Sequence, residues 1–234
     1  MSDLSKFDDM ASLSEASYVL FDKLQNDYST SAVEKALIDP DFAGRFSPAQ
    51  AADFVAKWEV VSHQPNTESG FSATLFRNKV SGEYVYAARG TEEFGLDLIA
   101  ADLGDIVIDG LAMGQIVDMY NDWQRINTPE GLSYQAARLV LLVQETELLR
   151  AYTNSLEGSG SYLTELRART DLVIDDPSGQ VYRVVLEPST SVFSDERALG
   201  AGALTGPVPL TVTGHSLGGH LAVAFTRLFP ETGA

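Results

Sequence analysis

Gly214-His215-Ser216-Leu217-Gly218-Gly219 is the segment of this sequence whose residue types and spacing can do chemistry. A serine with glycines two before and two after it can occupy a turn too sharp for larger flanking side chains, so its hydroxyl projects from the bend. The flanks suit such a turn. Pro209 to Thr213 is a short run of the buried-strand type, and Leu221 to Phe229 is apolar in the manner of a helix. Strand, turn and helix in that order put Ser216 beside a helix N-terminus, whose free N–H groups favour developing negative charge. The chemistry expected is attack by Ser216 on a carbonyl through a covalent acyl intermediate. His215 lies inside the motif, where adjacent residues project in different directions, so it is expected to pack or hydrogen-bond beside the turn rather than act as general base. His220 on the following helix and His63 in an early strand read as structural or surface histidines.

A second segment, Tyr84-Val85-Tyr86-Ala87-Ala88-Arg89-Gly90-Thr91, is a strand that ends in a glycine and a small polar residue. Acyl transfer needs two donors aimed at the tetrahedral oxygen, and the serine turn supplies one from its own helix. A loop such as Arg89-Gly90-Thr91 can supply the other; the plainer reading is a turn that closes a strand.

Composition narrows the partners. Against 16 Lys and Arg stand 33 Asp and Glu, a formal net charge of −17, which argues against a nucleic-acid partner. The same field repels an anionic membrane at long range, although a local apolar patch could still touch a neutral lipid interface. The chain has no cysteine, so disulfides, cysteine-ligated zinc and a thiol nucleophile are excluded. The first residues, Met1 to Asp9, carry neither the basic flank nor the apolar run of a Sec-type signal peptide, and no run approaches about 18 consecutive apolar residues. Asp97, Asp102, Asp105 and Asp109 offer the oxygens that calcium takes, but their spacing matches no calcium loop and reads as a solvated helix face. No cofactor or metal is expected from the residues.

The elements that must position the serine divide at Trp58. Residues 1–57 read as helical, with Leu4, Phe7, Ala11, Tyr18 and Phe21 at three- and four-residue spacings, a break at Asp39-Pro40, and a new helix at Ser47-Pro48. Glu59 to His63, Phe71 to Asn78 and Glu83 to Ala88 read as strands, separated by turn residues at Pro65-Asn66 and Ser81-Gly82. Gln115 to Trp123 has helical spacing. Thr128-Pro129-Glu130 predicts a helix start, with Leu132, Ala136, Leu139 and Val143 on one face and a stop at Gly158, where Gly158 to Ser161 reads as a hinge. Asp175 to Gly179 reads as a turn, Val181 to Leu186 as a strand, and Ser189 to Gly206 as an irregular loop. The fold class expected is α/β, with residues 1–57 packed as a helical region on the same domain as residues 58–234.

Taken together, Tyr84 to Thr91, Leu98-Ile99-Ala100-Ala101-Asp102-Leu103 and Thr213 to Ala222 resemble the class 3 lipases, the fungal-lipase-like branch of the α/β-hydrolase fold. The resemblance spans roughly residues 58–234 and is specific at these three places. It implies a central, mostly parallel sheet flanked by helices. By it, Ser216 is the nucleophile, with the Leu217 N–H and Thr91 as the oxyanion donors. Gly214, His215 and Gly218 support the turn, and Arg89 and Asp102 form a structural pair behind the oxyanion loop. It also implies a lid at about Glu92 to Leu111, with residues 159–206 as an equally placed covering insertion. Bacterial members with such a motif are often large secreted proteins with calcium-binding repeats after the hydrolase domain, so calcium enters only by that likeness. Export without a Sec signal is the favoured localisation and the cytoplasm the alternative.

In this fold the acid and base follow the serine, in the order Ser, Asp, His. Residues 217–234 hold no aspartate and one histidine, His220, so the catalytic Asp and His and the later sheet strands are expected beyond residue 234. The function expected is a serine carboxylic-ester hydrolase acting on lipid esters, with phospholipase A1 or another esterase as the alternative in the same class. The rival of another class is a non-catalytic, lipase-like binding or effector module.

Overall fold

In a computed structural model the described residues are 3–90, 112–141, 173–175, 181–186, 198–204 and 206–234. The chain divides into two compact units, one formed by residues 1–93 with 203–234 and the other by residues 94–202.

The first unit opens with three helices, α1 (Asp3–Ala16), α2 (Thr30–Ile38) and α3 (Pro48–Lys57). The start of α3 is fixed by a capping box: Ser47 Oγ accepts from the Gln50 N–H, and Gln50 Oε1 accepts from the Ser47 N–H at 3.0 Å. Pro48 at the first helical position needs no such partner, because it has no N–H to satisfy. The break expected at Asp39-Pro40 is present as a short 3-10 turn, Pro40–Phe42, which Asp39 caps.

Strands β1 (Trp58–Gln64), β2 (Ala73–Asn78) and β3 (Tyr84–Ala88) then form an antiparallel run. A fourth strand, β7 (Leu210–Gly214), lies parallel to β3, so the order across the sheet is β1-β2-β3-β7. Among the described residues this sheet is mostly antiparallel with one parallel pair, which corrects the mostly parallel sheet implied by the resemblance. The reason is connection length. The short links from β1 to β2 and from β2 to β3 can only turn the chain back on itself, whereas a parallel neighbour needs a long crossover such as the one from Ala88 to Leu210.

Side chains alternate across β3 and sort the core into two layers. On one face Val85 and Ala87 join Phe76, Trp58 and Val60 against the helical residues Leu13, Val33, Leu37, Phe54 and Val55. Edge-to-face ring contacts tie the sheet to the helical residues on this face: Phe76 meets Phe54 at 5.6 Å and Phe21 at 6.2 Å between centroids. On the other face the buried ring of Tyr86 meets Phe225 at 5.4 Å, and Phe225 meets Phe229 at 4.9 Å. Phe225 belongs to α5 (Leu217–Leu228), the helix that follows β7. Helices therefore cover both faces of the sheet, a mixed α/β arrangement.

In the second unit α4 (Ala112–Asn127) is followed by a three-stranded antiparallel sheet, β4 (Ala137–Leu141), β5 (Val173–Asp175) and β6 (Val181–Leu186), ordered β4-β6-β5. The helix predicted from Thr128 is not formed over 128–141. The Thr128 N–H instead closes the end of α4 on the Gln124 carbonyl, Gly131 takes the left-handed φ of +76°, and Asn121 holds both backbone groups of Ala137 through its side-chain amide. With its first residues fastened in extended form, the Leu139-Val140-Leu141 run pairs with β6 as a strand. Residues 142–158 and the expected hinge at Gly158 lie outside the described residues. Tyr134, half-buried near Asp122 and Arg125, has its phenol raised above the ordinary 10.0, chiefly by burial.

Candidate active site

The register of β7 on β3 sets the site. Ala87 faces Thr213 and Ala88 faces Gly214, so the last residues of both strands end side by side. The chain then turns through His215 and Ser216 into α5. Ser216 has φ 55° and ψ −124°, a conformation that L side chains rarely adopt. The turn is closed by the Gly218 N–H on the His215 carbonyl at 3.0 Å and by the Gly219 N–H on the Ser216 carbonyl at 2.9 Å.

Glycine is required at three points of close approach. A Cβ on Gly214 would stand 2.3 Å from the Gly218 carbonyl oxygen and 2.8 Å from that of Ala88, and one on Gly218 would stand 2.3 Å from the same Ala88 oxygen. At Gly90 a Cβ would stand 2.5 Å from the His215 carbonyl oxygen, 2.6 Å from the Tyr18 hydroxyl and 3.5 Å from Ser216 Cβ. The end of β3 and the serine turn are thus pressed backbone to backbone. This brings the Arg89-Gly90 segment to Ser216, as the two sequence segments suggested. Thr91, the second donor expected, and Asp102 lie outside the described residues, as do the expected lid at 92–111 and the aspartates 97, 105 and 109.

Ser216 is exposed and holds the N-cap position of α5, yet its side chain does not cap the helix. Its hydroxyl makes no hydrogen bond among the described residues. Leu217 follows as the first residue of α5, and its N–H takes no part in the turn's own hydrogen bonds. A hydroxyl beside the first N–H groups at the positive end of a helix can attack a carbonyl and hold the oxygen that becomes negative.

Arg89 is buried at 5% exposure; its N–H donates to the Ser72 carbonyl at 2.9 Å, and its guanidinium donates to Asn66 Oδ1. Asn66 was legible only as a turn residue between two strands. Tyr18 was missed as well: its hydroxyl lies 3.5 Å from His215 Nδ1. Its signal in the sequence was no more than one position of an apolar helical stripe. His215 and His220 are both exposed. His63 sits in β1, three strand spacings or about 14 Å from β7, so it does not reach Ser216. There it is buried against Phe21, with Nδ1 2.9 Å from Thr74 Oγ1 and Nε2 3.8 Å from Asp22 Oδ1.

Among the described residues no group of three His, Asp or Glu is placed to hold a metal ion, and no helix is long and apolar enough to cross a membrane. No protein-family model matches the sequence, and neither a curated protein nor a solved structure matches it.

Proposed function

We propose that this chain carries the nucleophile of a serine carboxylic-ester hydrolase of the class 3 lipase kind, built on the α/β-hydrolase fold and acting on lipid esters. The observation that carries the reading is the backbone of Ser216, held at φ 55° and ψ −124° between a strand and a helix with its hydroxyl exposed and not used as a cap. Strain of this kind persists where the surrounding structure over-determines it and the site uses it.

In this reading Ser216 Oγ attacks the ester carbonyl carbon as its proton passes to a general base, and the carbonyl oxygen becomes the oxyanion. The Leu217 N–H and Thr91 receive that charge. Collapse of the tetrahedral intermediate breaks the ester C–O bond, the alcohol leaves with a proton, and water then releases the acid from the acyl-serine. Arg89 braces the end of β3 through Ser72 and Asn66, and Gly214 and Gly218 admit the close approach the turn needs. The reaction as written uses neither metal nor cofactor.

Treating the natural-length protein with a fluorophosphonate probe in detergent, then mapping the adduct by peptide mass spectrometry, tests the reading. An adduct on Ser216 that is absent in Ser216→Ala is expected. A folded protein that forms no adduct sinks the hydrolase reading and leaves a non-catalytic module.

A further inference from the structure

The C-terminal end of α1 meets the serine turn at two points. Ser14 Oγ lies 3.0 Å from Thr213 Oγ1, on the strand side of Gly214, and Tyr18 Oη lies 3.5 Å from His215 Nδ1, on the serine side. Residues four apart fall on one side of a helix. The chain leaves α1 in a tight turn that keeps this relation, with the Ser17 hydroxyl donating to the Ser14 carbonyl at 2.7 Å and the Tyr18 N–H to the Glu15 carbonyl at 3.2 Å. The Tyr18 ring is held in turn. It is 7% exposed, and the Arg45 guanidinium lies over it, 5.5 Å from the centroid.

The same hydroxyl occupies the space that a side chain at Gly90 would take, 2.6 Å from the Cβ position there. One phenol therefore touches both halves of the site: the loop that leads into Thr91 and the residue that precedes Ser216.

We propose that Tyr18 is a positioning residue of the Ser216 site, its hydroxyl setting the separation between the Gly90 backbone and the His215-Ser216 turn, with Ser14 anchoring the end of the helix from which it follows. The inference rests on the serine-hydrolase reading. Oxyanion donors act only when held within about 0.5 Å of their working positions, and misplacement by about 1 Å can cost a hundredfold in rate. Donors drawn from two chain segments as distant in sequence as Gly90 and Ser216 need something to fix the gap. A group that contacts both does so directly.

Tyr18→Phe keeps the ring and its packing under Arg45 and removes only the hydroxyl. Its contact with His215, at 3.5 Å, is at the outer limit of a hydrogen bond, and a purely structural role predicts that any loss of rate follows a loss of stability. A positioning role separates rate from stability.

The experiment follows the phosphonylation of Ser216 in the natural-length protein over a range of fluorophosphonate concentrations, which resolves probe affinity from the maximal labelling rate, alongside the melting temperature. For Tyr18→Phe the maximal rate is expected to fall about tenfold or more, with affinity within about twofold and Tm within about 2 °C of the parent. Ser14→Ala, which leaves the phenol in place but loosens its helix, should slow labelling by about threefold. Labelling of Tyr18→Phe at the parental rate overturns the proposal. So does a rate loss that merely tracks a fall in Tm in both variants. A parent protein that forms no Ser216 adduct overturns the hydrolase reading and this role with it, and is distinguished by the failure of the parent itself.

Discussion

Serine is a favoured helix N-cap because its hydroxyl can accept from the first free N–H groups, yet Ser216 takes that position with a backbone that turns the hydroxyl away. The turn therefore forgoes a cap and accepts a strained φ at one residue. Strain of this type costs about 1–3 kcal/mol, and glycine relieves it while losing about 0.5–1 kcal/mol through the freer unfolded chain. Ser216→Gly should accordingly stabilise the protein by about 1 kcal/mol, whereas Ser216→Ala keeps the strain and should leave stability nearly unchanged. Denaturant unfolding of the two variants beside the parent decides the matter. A Ser216→Gly protein no more stable than Ser216→Ala would mean that the backbone at 216 is not held under strain. The nucleophile candidate was legible in the sequence because its constraint is local, two glycines and a serine in five residues. Tyr18 was not, since its meaning depends on a contact with His215 and Gly90 that no local pattern encodes.

Elements were readable where their punctuation was local. The Ser47-Pro48 start of α3, the three strands after Trp58 and the strand-to-helix change at Gly214 all carry their own caps or turn residues. Residues 128–141 were misread because Thr128-Pro129-Glu130 looks like a helix start on its own, while the side-chain amide of Asn121 and pairing with β6 decide the outcome from outside the segment. The same distinction between local and distant constraint applies to the glycines of the serine turn. Gly218 and Gly219 are neighbours on α5, but a Cβ at 218 meets the Ala88 carbonyl oxygen at 2.3 Å, a backbone atom that cannot step aside, while at 219 the nearest atom is the Gly214 oxygen at 3.4 Å. Gly218→Ala should cost about 3 kcal/mol by driving β3 and α5 apart, and Gly219→Ala should stay within about 1 kcal/mol of the parent, helped by its better helix propensity. Equal effects in chemical denaturation would show that the close seat of α5 on β3 does not constrain the turn.

At the scale of the whole molecule the charge of −17 opposes compaction, and the question is whether local ion pairs offset it. Among the described residues Arg77 pairs with Glu59 at 3.2 Å and Arg45 with Glu15 at 3.8 Å at the surface, while the pairs of Arg125 with Asp122 at 2.6 Å and of Lys57 with Asp9 hold a more buried carboxylate. Exposed pairs such as the first two contribute about 0–1 kcal/mol each, and salt weakens them as it weakens the repulsion. With twice as many acidic as basic residues, repulsion should be the larger of the two. Raising NaCl from about 20 mM to about 500 mM shortens the screening length from about 20 Å to about 4 Å and removes most of the long-range term. The expected result is a rise in melting temperature of about 2–4 °C, equivalent to about 1 kcal/mol for a chain of this size. Scanning calorimetry in NaCl, which perturbs apolar hydration less than sulfate does, reads the sign directly. A fall in Tm would mean that the ion pairs, with Asp122 and Asp9 the more buried of their carboxylates, outweigh the net charge.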